Sequence, residues 1–316
     1  MKTVAMVLFP DFLLLDMAGP MEVFSIANRY LKPEDHYQLT TLGAVPGAVR
    51  ASNGSRLLPD REIAPADGGW DLLLIPGGPG AYNEICPPLS LWLKEVAGRV
   101  RNYGSICTGA FILGHAGLLD GYRVTTHWHY TERLIRAFPE AEVETDQIWV
   151  RDRQLITSGG VTAGIDLALA VVAEDHGKKV AQDVAKVLLV VMKRQGGQAR
   201  FSPLAGPVAK EETPISRVQQ QVLAQLEEPF GIERMAGLAA MSPRHFSRVF
   251  LREVNMTPMA FLQSARIDRA RELLESSDLP LKTVAFRSGF GSVRYMRQVF
   301  SERLGVTPSE YREQFG

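Results

Sequence analysis

The sequence predicts a parallel α/β sandwich followed by an all-α domain with two helix-turn-helix units. Three observations carry this. Up to residue 192, short apolar or β-branched runs alternate with segments of helical spacing. Residues 193–214 lose that periodicity and gather Gly and Pro. From residue 215 onward the pattern is helical, and one segment recurs at an offset of 50. A chain of 316 residues, 46% hydrophobic and 22% charged, can build two cores. That composition excludes a wholly disordered, collagen-like or coiled-coil chain.

The expected elements run in order. Thr3–Phe9 (TVAMVLF) is a β-rich run, and Asp16–Asn28 follows with helical spacing. His36–Leu42 alternates as a strand does. Asp71–Ile75 (DLLLI) is almost continuously apolar, the pattern of a strand covered on both faces. It ends in Pro76-Gly77-Gly78-Pro79-Gly80. Leu89–Arg101 has helical spacing, Ser105–Ile106 ends a short strand, and Ala110–Leu118 is helical again. Gln154–Thr157 and Ala163–Ala173 repeat the strand–helix order.

The N-terminal run MKTVAMVLFPDFLLLDMAGP is interrupted by Pro10, Asp11 and Asp16 and lacks a small-residue cleavage site. It reads as strand then helix rather than as a signal peptide. No stretch of about 18 uncharged apolar residues is present, so no membrane partner is expected. Two cysteines, Cys86 and Cys107, cannot make a disulfide framework, and a reducing, cytoplasmic location is expected.

Arg194–Pro214 (RQGGQARFSPLAGPVAKEETP) reads as a linker, giving expected domains of 1–192 and 215–316 around residues 193–214. Formal charge is zero, with 35 basic and 35 acidic residues, but it divides unevenly. Residues 1–213 carry 21 basic and 24 acidic groups; residues 214–316 carry 14 basic and 11 acidic, and 13 of those 14 are Arg. Arg suits phosphate and base-edge contact better than Lys does.

The repeat is the strongest feature. SPRHFSRVFLREVNMTP (242–258) aligns without gaps to SVRYMRQVFSERLGVTP (292–308). Ser242 and Ser292 can cap helices, and Pro243 suits a first helical position. Phe246, Val249 and Phe250, like Met296, Val299 and Phe300, fall at i, i+3, i+4 and form inward faces. Arg244, His245, Ser247 and Arg248 in the first copy, and Val293, Arg294, Arg297 and Gln298 in the second, are left facing outward. Each copy follows a short helical run, Ile232–Ala240 or Leu281–Ser288, and Pro258–Leu274 can join them rigidly. Two such recognition helices can enter adjacent major grooves of double-stranded DNA about 34 Å apart. Arg offers two parallel donors to guanine and Gln can pair with adenine, whereas Val293 could at most touch a thymine methyl.

These residues resemble the AraC/XylS DNA-binding domain, and GFGSVRYMRQVFSERLGVTPSEYR (Gly289–Arg312) is close to that family's signature. The resemblance implies base contacts from the outward residues just named, with His245 and Val293 the weaker candidates.

In the first domain, Gly104-Ser105-Ile106-Cys107-Thr108-Gly109-Ala110 puts a Cys between a strand and a small-residue helix start. That is the arrangement of a nucleophile elbow. The helix N-terminus would favour a thiolate, and backbone N–H groups of Thr108 and of Gly77 or Gly78 could form an oxyanion hole. Locally, Cys107 reads equally as a small buried residue; Cys86, beside Pro87-Pro88, has only that reading. His127 and His129 could share a strand face, but two His without a further ligand do not make a metal site. The GGPG run lacks a phosphate-loop Lys, so no nucleotide cofactor is expected.

Asp16–Gly19-Pro20–Glu22, Ile75-Pro76-Gly77-Gly78, the Cys107 elbow, Thr125-Thr126-His127-Trp128 and Thr157-Ser158-Gly159-Gly160 together resemble the ThiJ/PfpI family. That implies a flavodoxin-like, class I glutamine amidotransferase-like sandwich, with the family's acid near its cysteine at Asp16. Hydrolytic members place His directly after the Cys, where this chain has Thr108. The two domains in this order resemble the GlxA-like transcriptional regulators. What that resemblance implies is a homodimer that binds a small nitrogenous effector, such as an amino acid or a betaine, in a cleft near Asp16, Gly77, Gly78, Cys107, Thr108 and His127. Effector binding would change DNA affinity or RNA polymerase contact. The alternatives are an active cysteine hydrolase or isocyanide-hydratase-like enzyme fused to a DNA-binding tail, and a cysteine-oxidation sensor.

Overall fold

The computed structural model describes residues 1–82, 87–190, 198 and 213–315. Cys86 and nearly all of the expected linker lie outside the described residues. The chain divides into two compact units, Met1–Gln198 and Ala199–Gly316.

The first unit has strands β1 (Lys2–Leu8), β2 (Tyr37–Gly43), β3 (Val49–Arg50), β4 (Arg56–Leu57), β5 (Arg61–Glu62), β6 (Leu72–Ile75), β7 (Tyr103–Ile106), β8 (Arg123–Val124), β9 (Glu142–Val143), β10 (Trp149–Asp152) and β11 (Leu155–Ser158). Its helices are α1 (Leu14–Ala27), α2 (Pro87–Val96), α3 (Ala110–His115), α4 (Thr131–Ala137), α5 (Ala163–His176) and α6 (Lys178–Leu188). Among the described residues, seven strands form one sheet in the order β10-β11-β7-β6-β1-β2-β5. All its pairings are parallel except β10 with β11.

The sheet is covered on both faces, α1 packing with α5 and α6, and α2 with α3. This is why Leu72–Ile75 and Val4–Leu8 are buried without alternation. From β1 the chain steps to β2 on one side, then recrosses to β6, β7 and β11 on the other. The reversal between β1 and β6 is a topological switch point, beyond whose strand C-termini open α/β sheets bind ligands. The flavodoxin-like sandwich expected from the sequence is the fold found.

The second unit is helical among its described residues: α7 (Pro214–Ala224), α8 (Ile232–Leu238), α9 (Pro243–Val254), α10 (Pro258–Ser276), α11 (Leu281–Arg287), α12 (Val293–Leu304) and α13 (Pro308–Phe315). It has two separate cores. Phe246, Val249 and Phe250 of α9 pack with Phe261, Leu262 and Ala265 of α10. Met296, Val299 and Phe300 of α12 pack with Ile267, Ala270 and Leu274, further along the same helix. Thus α10 is buried in one core at its start and in the other at its end. The two units of the repeat differ by one residue upstream of the aligned segment. Met241 N–H bonds Ala236 O, and Phe290 N–H bonds Ala285 O, an offset of 49 rather than 50. Gly291, at φ 69°, takes up the extra residue in the second turn.

Candidate ligand cleft and nucleic-acid interface

The C-terminal ends of β1, β6 and β7 bring three sequence-distant groups together. Asp16, in the first turn of α1, is fully buried, and its Oδ2 accepts a hydrogen bond of 2.9 Å from Gly77 N–H beyond β6. Cys107 follows β7 with φ 55°, a left-handed conformation rare for a side chain with a Cβ. The elbow therefore exists in the backbone. Gly77 is required beside it: a Cβ there would stand 2.7 Å from Asp16 Oδ2 and 2.8 Å from Cys107 Cβ. Thr126 Oγ1 donates to Cys107 O at 2.8 Å, tying the segment before His127 to the elbow.

The electrostatics overturn two expectations. The helix N-terminus is expected to favour a thiolate. Instead burial, and secondarily the Asp16 charge, push the Cys107 thiol up to about 12, against lowering hydrogen bonds from Thr108. Desolvation of a buried sulfur outweighs the short turn that follows it. The second correction is the oxyanion hole. Gly77 N–H is taken by Asp16, and Gly78 N–H donates to Thr108 Oγ1 at 2.9 Å. Both glycine donors assigned to an oxyanion are already satisfied by the chain's own side chains.

Burial also raises Asp16 to about 7, opposed by its bonds from Gly77 and Cys107. Its Oδ1 is buried with no hydrogen-bond partner. His127 is half-buried, and burial, then the neighbouring His129, lowers its pKa below the ordinary histidine value. It precedes a 3-10 turn, Trp128–Tyr130, rather than sitting on a strand; His129 N–H donates to its Nδ1 at 3.2 Å. The shared strand face expected for His127 and His129 is therefore absent.

An aromatic group beside His127 was not expected. Tyr130 lies 6.0 Å from His127 ring to ring, its hydroxyl donates to Tyr82 at 2.8 Å, and Arg133 stacks 4.9 Å from the Tyr82 ring. Tyr82 and Tyr130 are 48 residues apart, and no local pattern marks them as neighbours.

In the second unit both recognition helices are capped as expected. Ser242 Oγ accepts from His245 N–H, and Ser292 Oγ accepts from Tyr295 N–H at 3.2 Å. Arg244, His245 and Arg248 are exposed on α9, as are Arg294, Arg297 and Gln298 on α12. Three positions are less available than their helical phase implies. Ser247 is half-buried and donates to Pro243 O at 2.8 Å. Val293 is half-buried and packs against the second core rather than facing outward, as its apolar side chain favours. Gln298 Nε2 donates to Glu302 Oε1 at 2.9 Å. Tyr295, exposed beside Arg294, is a further surface group that the periodicity did not single out.

The family model of the DJ-1/PfpI family matches residues 2–174, and a helix-turn-helix domain model matches residues 235–314. The chain is 31% identical to the HTH-type transcriptional regulator CdhR of Pseudomonas aeruginosa, over 96% of this chain and 90% of that protein. It is 36% identical to the isonitrile hydratase of Pseudomonas putida, over 57% of this chain and 74% of the enzyme. The crystal structure of an AraC family transcriptional regulator from Pseudomonas putida superposes with a TM-score of 0.53 at 26% identity, covering 60% of this chain and all of that one.

Proposed function

Since the chain belongs to the DJ-1/PfpI family and is a transcriptional regulator with an AraC-type DNA-binding unit, we propose that its first unit senses an effector without turning it over. The effector is a small nitrogenous molecule held in the cleft of Asp16, Gly77, Gly78, Cys107, Thr108 and His127. The observation that carries this reading is the setting of the cysteine: a buried thiol pushed up to about 12, beside two glycine N–H groups that side chains already occupy. Such a site has no primed nucleophile, and its two glycine donors are not free to hold an oxyanion. It does have a buried carboxylate oxygen, Asp16 Oδ1, lacking a partner, which an effector N–H could satisfy.

The DNA side of the reading assigns base contacts to Arg244, His245 and Arg248 on α9 and to Arg294, Arg297 and Gln298 on α12. Effector binding changes DNA affinity or RNA polymerase contact by linkage, through differing effector affinity for two states of a cytoplasmic homodimer. Pull-down of fragmented host DNA tests the DNA assignment. The wild type should enrich a few intergenic sites, and the Arg244→Ala/Arg294→Ala protein should lose them. Equal recovery by both would overturn it.

A second reading, a working hydratase, is favoured by the identity to isonitrile hydratase and by the Asp16–Cys107 pair. Steady turnover of an isonitrile by wild type, abolished in Cys107→Ser, would establish it. Absence of turnover by a protein that still retains DNA would leave the sensing reading standing.

A further inference from the structure

Gln198 is the one described residue between 190 and 213 in sequence, and it is only 2% exposed. A Gln is rarely so buried unless its amide is fully bonded. Here it is. Oε1 accepts from Trp128 N–H at 2.8 Å. Nε2 reaches Gln147 O at 2.8 Å, Thr126 O at 3.0 Å and Thr125 Oγ1 at 3.2 Å. The amide lies against Gly159, where a Cβ would stand 2.5 Å from Gln198 Cδ. The slot presents one donor and several acceptors in the pattern a primary carboxamide needs, and a glycine makes room for the planar group. Its walls belong to the cleft segment: Thr126 also holds Cys107 O, and Trp128 follows His127.

We propose that Thr125, Thr126, Trp128, Gln147 and Gly159 form a carboxamide-binding site filled by the chain's own Gln198. A free primary amide can replace that side chain. The plug fixes the chain at residue 198 beside Thr126 and Trp128, the segment that carries His127. A regulatory role for the plug rests on the proposed sensing function; the amide-binding site does not.

The test uses full-length protein, with acetamide as the probe. In Gln198→Ala the Trp128 amide should exchange with solvent at least tenfold faster, and the first unit should melt roughly 4–8 °C lower, because buried polar groups lose partners. Acetamide at tens of millimolar should restore both in the variant and change neither in wild type. N,N-dimethylacetamide, which has no N–H to give to Thr126 and Gln147, should restore neither. Gly159→Ala expels the plug without touching Gln198, so it should reproduce the exchange defect, and the double variant should be no worse than either single. Equal effects of the two amides, unchanged Trp128 exchange in both single variants, or additive defects would each overturn the site. Retention of host DNA is read on the same proteins. If wild type retains none, the sensing reading fails while acetamide rescue still judges the slot. If Gln198→Ala retains DNA as wild type does, the coupling role fails alone.

Discussion

At Cys107 the balance between thiol and thiolate is set by burial and by Asp16, not by the turn that follows. With the thiol pushed to about 12, alkylation by iodoacetamide at pH 8 should be at least tenfold slower than for a free cysteine, whose pKa is near 8.5. Asp16→Asn removes the second cause and keeps an acceptor for Gly77 N–H. Alkylation should then speed up, yet stay slower than free cysteine, because burial remains the larger cause. A fast wild-type reaction would contradict the protonated thiol. Asp16 itself makes stability pH-dependent. Its folded pKa of about 7 exceeds the ordinary value of 3.8, so the folded state holds a proton that the unfolded state has released. The stability this gives is fully present below about pH 4 and is lost as pH rises through 7. The limit is on the order of 4 kcal/mol, since each tenfold difference in proton affinity between the two states is worth about 1.4 kcal/mol. Urea melts of wild type should weaken between pH 5 and 8, and those of Asp16→Asn should weaken much less. Parallel pH profiles would place the carboxyl in water.

Among the elements, the two cores of the DNA-binding unit should fail separately. Phe250 and Phe300 are both fully buried, each in its own cluster. Phe→Ala at either should cost about 3–5 kcal/mol. Hydrogen exchange should show α8 and α9 loosened by the first change, and α11 and α12 by the second; loosening of all four by either would mean one cooperative core. The repeat was legible because its inward phenylalanines and capping serines use helical periodicity alone. Leu72–Ile75 was legible because burial on both faces suppresses alternation. Helix α6 and strand β10 were not: α6 is a short amphipathic segment after Gly177, and β10 is a half-covered edge strand. The candidate site was half legible. Glycine, cysteine and acid at strand ends mark Asp16, Gly77 and Cys107, but no spacing tells which side chain a backbone N–H will find. Thr108 closing on Gly78, and Gln198 filling its slot, depend on contacts made across long stretches of chain.

For the molecule as a reader of DNA, α10 decides how far apart two half-sites can lie. Its 19 residues span about 28 Å at 1.5 Å per residue, and its two ends are embedded in the two cores. The recognition helices are therefore carried by one stiff rod whose length is close to the 34 Å repeat of B-DNA. Inserting five base pairs between the half-sites of an enriched operator turns the second major groove to the opposite face, and only one helix can then bind. Affinity should fall by about a hundredfold or more, the gain that joining two modules supplies. Inserting ten base pairs restores the face but moves the groove a full turn away. A flexible tether would recover affinity there; α10 cannot stretch to it, so binding should stay at the level of a single unit. Gel-shift titration of the three operators separates the cases, and recovery at ten base pairs would mean that the two units do not bind as a rigid pair.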